Sequence, residues 1–286
     1  EGHAWALHAL QFGPEGKLLG SGAGDGTARV WNVAEASEMK MFQGTGTPVT
    51  AVSFSRDGAN LAAAFGRHAR MWNLESGEVS ARLEAEDKSV SALAVTPEGA
   101  VLATVDSRGM AHVWSRRTGR LENSFAIDSR GATCAVLASD GELLAVGTQR
   151  REILLLDTGS GKRKAVLKGH EDWVLSLALS PDGQLLASSA ADGTVRLWAM
   201  PDGKLVRTLE GHEGSVYCVD FSPDGTRAIT GAADARVILW EVETGNVLAT
   251  LTGHTGPVYG VCYLPDGRTA VSVSHDGSLR VWDLAG

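Results

Sequence analysis

The sequence predicts an all-β fold: seven copies of one small antiparallel sheet, packed side by side around an axis. Three observations carry this. Tryptophan recurs at Trp31, Trp72, Trp114, Trp198, Trp240 and Trp282, steps of 41 or 42 residues with one double gap, and Leu156 stands in the vacant slot. An acidic residue followed by glycine marks the same point of every copy, at Glu15-Gly16, Asp57-Gly58, Glu98-Gly99, Asp140-Gly141, Asp182-Gly183, Asp224-Gly225 and Asp266-Gly267. Between these marks lie short apolar runs divided by Gly, Pro and Asp clusters roughly every 8 to 12 residues. Helical repeats of similar period are excluded, because no segment sustains an amphipathic stripe.

The clearest copy opens at Gly211-His212. A first strand carries Val216, Val219 and Phe221, the turn Ser222-Pro223-Asp224-Gly225 reverses the chain, and Ala228-Ile229-Thr230 forms the second strand. A second turn at Asp234 leads to Val237-Ile238-Leu239-Trp240. The glycines of such hairpins supply the positive φ a short loop demands. After each tryptophan comes a further hairpin, near Gly77, Gly119, Gly161, Gly203 and Gly245, and then a fourth strand such as Lys204 to Leu209. A four-stranded sheet of this kind cannot bury both faces alone, so the copies must stack and close. The repeats run roughly over 1–43, 44–84, 85–126, 127–168, 169–210, 211–252 and 253–286 as a single domain. The last copy ends too soon for a fourth strand, so about 27 strands are expected, and the chain reads as an excerpt of a longer polypeptide, with Glu1-Gly2 the tail of the missing strand.

Composition narrows the function. The chain has 286 residues, 43% hydrophobic and 21% charged, with a net charge of −8. That balance argues against a broad phosphate-binding surface, so no nucleic-acid partner is expected. No apolar run is long enough to span a bilayer, and a soluble, cytoplasmic, monomeric module is expected. Cys134, Cys218 and Cys262 sit in apolar strand patterns and read as buried thiols. The Asp-Gly turns lack the alternating ligands of a calcium loop, and Gly159-Ser160-Gly161-Lys162 lacks both the earlier glycine and the following Ser or Thr of a phosphate loop. Neither a metal nor a cofactor is expected.

Gly-His at 2–3, 169–170, 211–212 and 253–254, the Ser-Pro-Asp-Gly turn, Asp-Gly-Thr and the closing Trp282-Asp283 together resemble the WD-repeat β-propeller family across the whole chain. The resemblance implies a seven-bladed propeller of four-stranded antiparallel blades, the last lacking its outer strand, that serves as a rigid platform for protein contacts without catalysis. Blades two to four depart from the pattern. Thr45, Glu86 and Asp128 replace the histidine, and their second turns read Gly66-Arg67-His68, Arg108-Gly109 and Arg150-Arg151.

His212, Thr230 and Asp234 look like a hydrolytic triad. The same set recurs as His3, Ser21, Asp25 with Trp31, as His170, Ser188, Asp192 with Trp198, and as His254, Ser272, Asp276 with Trp282. Four active sites in one domain are implausible. The resemblance implies instead a hydrogen-bonded tetrad, completed in the sixth blade by Trp240, that ties each leading loop to its second hairpin.

It also implies that these loops meet on the top face, where a partner sees the variable positions. Those flanking the buried valine of the first strand are small or polar in blades two to four but include Trp173, Leu175, Tyr217 and Tyr259 in blades five to seven. Exposed Trp and Tyr are frequent binding hot spots. The expected partner-binding site is therefore Trp173, Leu175, Tyr217 and Tyr259, with His8 and His275 toward its rim. Arg67, His68, Arg108, Arg150 and Arg151, with Lys88 and Arg130, form a contrasting basic sector. The function expected is a non-enzymatic scaffold for a protein or peptide. The alternatives are a regulatory propeller controlling a catalytic domain elsewhere in the polypeptide and, last, a propeller enzyme.

Overall fold

A computed structural model describes residues 2–5, 7–13, 16–55, 57–84, 89–96, 101–115, 120–127 and 131–284, with only the backbone described at Leu7 and Glu84. The positions Glu1, Glu15, Glu86, Lys88, Glu98, Gly99, Gly119, Asp128 and Arg130 singled out above lie outside these residues. The described residues form strands and turns with no helix, and so none that could cross a membrane.

The chain divides into two compact units, Glu1–Ala145 with Leu156–Lys164, and Val146–Leu155 with Ala165–Gly286. The first holds three antiparallel sheets: β1 (Leu7–Phe12), β2 (Leu18–Ala23), β3 (Thr27–Asn32) and β4 (Ser37–Gln43); β5 (Val49–Phe54), β6 (Asn60–Phe65), β7 (His68–Asn73) and β8 (Val79–Glu84); β9 (Val90–Val95), β10 (Val101–Asp106), β11 (Met110–Ser115) and β12 (Leu121–Ala126). The fourth sheet, β13 (Ala132–Leu137), β14 (Leu143–Thr148), β15 (Glu152–Asp157) and β16 (Arg163–Lys168), is shared out between the two units. The second unit continues with β17 (Val174–Leu179), β18 (Leu185–Ala190), β19 (Thr194–Ala199) and β20 (Lys204–Glu210), then β21 (Val216–Phe221), β22 (Arg227–Ala232), β23 (Val237–Glu241) and β24 (Val247–Leu251). It ends with the three-stranded β25 (Val258–Tyr263), β26 (Thr269–Ser274) and β27 (Leu279–Asp283). The described residues thus make 27 strands in seven blades, the last without an outer strand, as the repeat pattern predicts.

Each blade is a meander because its turns are tight and its strands are short. Cores lie between neighbouring sheets. In the second unit Leu197, Leu209 and Val195 of blade five pack with Val216, Phe221, Ile238 and Trp240 of blade six, and Ile229, Val237 and Leu239 of blade six pack with Val258, Val261 and Tyr263 of blade seven. The first valine of β25 presses onto β22 at Gly231, where a Cβ would stand 2.5 Å from Val258 Cγ1. No larger residue admits that approach. In the first unit, Phe42 stacks on Trp72 with ring centroids 4.9 Å apart, and Phe65 meets the same indole edge-on at 5.6 Å.

Candidate functional site

The leading loop and second turn of a blade are held together by the recurring His, hydroxyl, Asp and Trp. In blade six His212 Nδ1 lies 2.9 Å from Asp234 Oδ2, His212 Nε2 lies 2.8 Å from Thr230 Oγ1, and Trp240 Nε1–H donates to the same oxygen at 2.8 Å. Blade five repeats this with His170, Asp192, Ser188 and Trp198 at 2.9, 2.7 and 2.8 Å. Blade seven does so with His254, Asp276, Ser272 and Trp282 at 2.9, 2.8 and 2.8 Å. In blade one, His3 is 3.0 Å from Asp25 and 2.7 Å from Ser21, which accepts from Trp31 at 2.7 Å.

Donor and acceptor roles follow from the indole, which can only donate. The hydroxyl accepts it and gives its one proton to His Nε2, leaving the Nδ1 proton for the carboxylate. The imidazole is neutral in this arrangement. Consistently, burial holds His212 below its ordinary pKa against the pull of Asp234. Burial also opposes the charge on Asp192, but hydrogen bonds from His170, the Glu171 N–H and Thr194 outweigh it and keep that carboxyl well below its usual range. A nucleophile needs its oxygen open to substrate. Ser188, Thr230 and Ser272 are fully buried and Ser21 is 2% exposed, so the arrangement fastens loops and presents no reactive group.

A fifth member escaped the sequence reading. Thr194 Oγ1 donates to Asp192 at 2.7 Å, Ser278 Oγ to Asp276 at 2.6 Å and Thr27 Oγ1 to Asp25 at 2.7 Å. The Asp-Gly-Thr/Ser spacing carried that signal. Blade six has Arg236 there instead, its Nε 3.1 Å from Asp234. Where the set is incomplete, other groups fill in. Blade three keeps Trp114 Nε1–H to Thr104 Oγ1 at 3.1 Å, and blade four buries Val146 and Leu156 in apolar surroundings.

On the first strands, the pairing register slips by one residue after the leading valine, between Val174 and Ser176, Val216 and Cys218, and Val258 and Gly260. The residues at these bulges are Leu175, Tyr217 and Tyr259. A bulge takes its residue out of the ladder and re-aims the side chain, a feature that simple alternation does not reveal. His8 occupies the corresponding bulge in blade one of the first unit and is exposed. Tyr217 and Tyr259 rings lie 5.0 Å apart, and Tyr259 meets His275 edge-on at 6.2 Å. His275 is brought there by its N–H, which donates to Pro257 O at 2.8 Å. Trp173 and Tyr259 are 47% and 44% exposed, whereas Leu175 and Tyr217 are half-buried.

Eight tryptophans occur, six on the period and two off it. The two off it, Trp5 and Trp173, are the strongly exposed ones, at 71% and 47%. Trp5 was not singled out from the sequence, although its place off the period marks it. Of the basic sector, Arg67, Arg108, Arg150 and Arg151 are exposed and His68 is half-buried. Among the described residues no group of three or more His, Cys, Asp or Glu is placed to hold a metal ion.

The sequence profile of the WD domain, G-beta repeat family matches residues 1–32, 36–73, 161–199, 203–241 and 245–283, well over half of the chain. The unmatched stretch spans blades three and four, where the His-to-Asp ties are lost. The chain is 28% identical to SEC12-like protein 2 of Arabidopsis thaliana over 59% of its length and 45% of the relative's. It is 29% identical to pre-mRNA-processing factor 19 homolog 2 of the same plant over 51% of its length and 28% of the relative's. It is also 27% identical to the guanine nucleotide-binding protein subunit beta of that plant, over 40% of its length and 33% of the relative's. These matches thus span less than half the length of the relatives. The chain belongs to the WD domain, G-beta repeat family.

Proposed function

We propose that the chain is a non-enzymatic interaction module that binds a protein or peptide at the leading-loop end of blades five to seven, on Trp173, Leu175, Tyr217 and Tyr259, with His275 at the edge. The carrying observation is the continuous ring contact from the bulged Tyr217 and Tyr259 to His275 in the second turn of blade seven, with a half-exposed Trp173 in the leading loop of blade five. Rings held in place by a rigid sheet lose little freedom on binding, which favours them as anchors. The tetrads support this reading by fixing the loops around them. The relatives, proteins of unrelated names sharing one repeat, support a scaffold role more than a shared chemistry. His8, on blade one of the first unit, is a separate rim candidate.

The test is selection of peptides from a random display library on the whole chain, followed by affinity measurement on variants. Trp173→Ala is expected to cost about 2 kcal/mol or more, and Lys204→Ala, at the far end of blade five, almost nothing. Unchanged affinity for a folded Trp173→Ala, Tyr217→Ala double variant overturns the proposal.

A further inference from the structure

The charge around this aromatic row selects its occupant. The leading loops and second turns of blades five to seven carry Glu171, Asp172, Asp192, Glu213, Asp234 and Asp276 against one guanidinium of their own, Arg236, while Arg196 and Arg280 of the third strands reach the leading loops at Gly169 and Gly253. Arg236 is already engaged, 2.8 Å from Glu213 and 3.1 Å from Asp234. Asp192, Asp234 and Asp276 are turned inward to the tetrads, where hydrogen-bond donors hold them ionised. Glu171 and Asp172 are exposed and, among the described residues, form no ion pair. They immediately precede Trp173. Exposed aromatic faces beside uncompensated carboxylates attract cations twice over, through the ring quadrupole and through the net field, and an anionic partner is repelled by the same field.

Resting on the reading of this face given above, we infer that the partner is a basic segment, a peptide presenting arginine or lysine to Trp173, Tyr217 and Tyr259. Arginine fits best, since its planar guanidinium stacks on a ring while donating to a carboxylate at its edge. Such a complex needs no groove. Its contacts are an exposed ring, a ring pair and two acids within one unit.

The experiment sequences peptides selected from the random library on the whole chain, then measures their affinity by fluorescence anisotropy at low and moderate salt. Arginine and lysine are expected to be enriched over the starting library. Replacing them by citrulline or acetyl-lysine should weaken binding about tenfold or more. Glu171→Gln with Asp172→Asn, which preserves the rings, should weaken it about fivefold and flatten its salt dependence. Neutral or acidic peptides that still require Trp173 and Tyr217 overturn the inference and leave the face standing. Indifference of basic peptides to the Glu171→Gln, Asp172→Asn variant does the same. Peptides that bind the folded Trp173→Ala, Tyr217→Ala variant undiminished, or the absence of any selected peptide, overturn both.

Discussion

The carboxylate of Asp220 in β21 accepts the N–H of Tyr263 in β25 at 2.9 Å, and its other oxygen accepts the N–H of Phe221 at 2.9 Å. Gln11 does the same between blades one and two, accepting the Phe54 N–H at 2.8 Å. The residue just before the aromatic that closes a first strand thus caps the matching amide of the next blade. These amides face away from any ladder partner, so the cap satisfies a donor that burial would otherwise strand.

Burial pushes the Asp220 carboxyl up from 3.8 to about 6. Between those values the folded chain binds more protons than the unfolded one, so this group makes stability fall as pH rises from about 4 to 6 and leaves it level above. Asp220→Asn removes that slope while keeping one acceptor. Urea denaturation from pH 4 to 7 should show the stability difference, wild type minus variant, declining by about 1–3 kcal/mol across the window. A difference that does not change with pH shows that the charge is not penalised there.

His212→Ala leaves Thr230 and Asp234 short of a buried partner and should cost about 1–3 kcal/mol. The sign with pH is opposite to that of Asp220. Because the folded pKa of His212 is depressed below the ordinary value of 6.5, its contribution stands above about pH 6.5 and is lost as pH falls below it. The gap between wild type and His212→Ala should therefore narrow on acidification. Equal gaps at pH 5.5 and 7.5, read by denaturant melts, would contradict the neutral-imidazole arrangement.

Blade four has no such tie, with Leu156 for the indole and Val146 for the hydroxyl. Its second hairpin relies on apolar packing and on Thr148 Oγ1 donating to Glu152 O at 2.9 Å. Amides of β14 and β15 should exchange with deuterium faster than those of β22 and β23. Exchange as slow in blade four as in blade six would show that the tetrad adds nothing to local stability.

The fold was legible because its determinants are local and repeated. Trp240 and its counterparts, the Asp-Gly turns and the apolar runs each fix one hairpin, and seven copies average out the irregular ones. The tetrads were legible for the same reason, since four copies at constant spacing distinguish a tie from an active site. What stayed hidden arises from contacts across blades or from departures from ideal strands. The bulges at Leu175, Tyr217 and Tyr259 follow from pairing with β18, β22 and β26, and nothing in the first strand alone marks the slip. The cap from Asp220 to Tyr263 joins residues in different blades, and Gln11 and Asp220 share no residue type that would flag it. Trp5 lies off the period and ahead of the first strand, so the repeat assigns it no slot and its exposure follows only from the folded leading loop.

Among the described residues, three non-glycine residues take left-handed backbone conformations. Ala235 has φ 63° and Arg151 φ 67° in second turns where Gly193 and Gly277 have 83° and 79°, and Ala36 has φ 49° in the hairpin where Gly77 and Gly161 have 75° and 69°. A Cβ in this region crowds the following carbonyl and costs roughly 1 kcal/mol, which glycine avoids at some entropic cost in the unfolded chain. The turns themselves are fixed by the ladders on both sides and will not relax around the side chain. Ala235→Gly, Arg151→Gly and Ala36→Gly are each expected to be stabilising by about 0.5–1 kcal/mol. The three sites lie in different blades, so their effects should add. Ala233→Gly, two residues from Ala235 and at ordinary φ, is the control and should lower stability, since there glycine brings only unfolded-state entropy. If all four variants melt lower than wild type, left-handed strain is not stored in these turns.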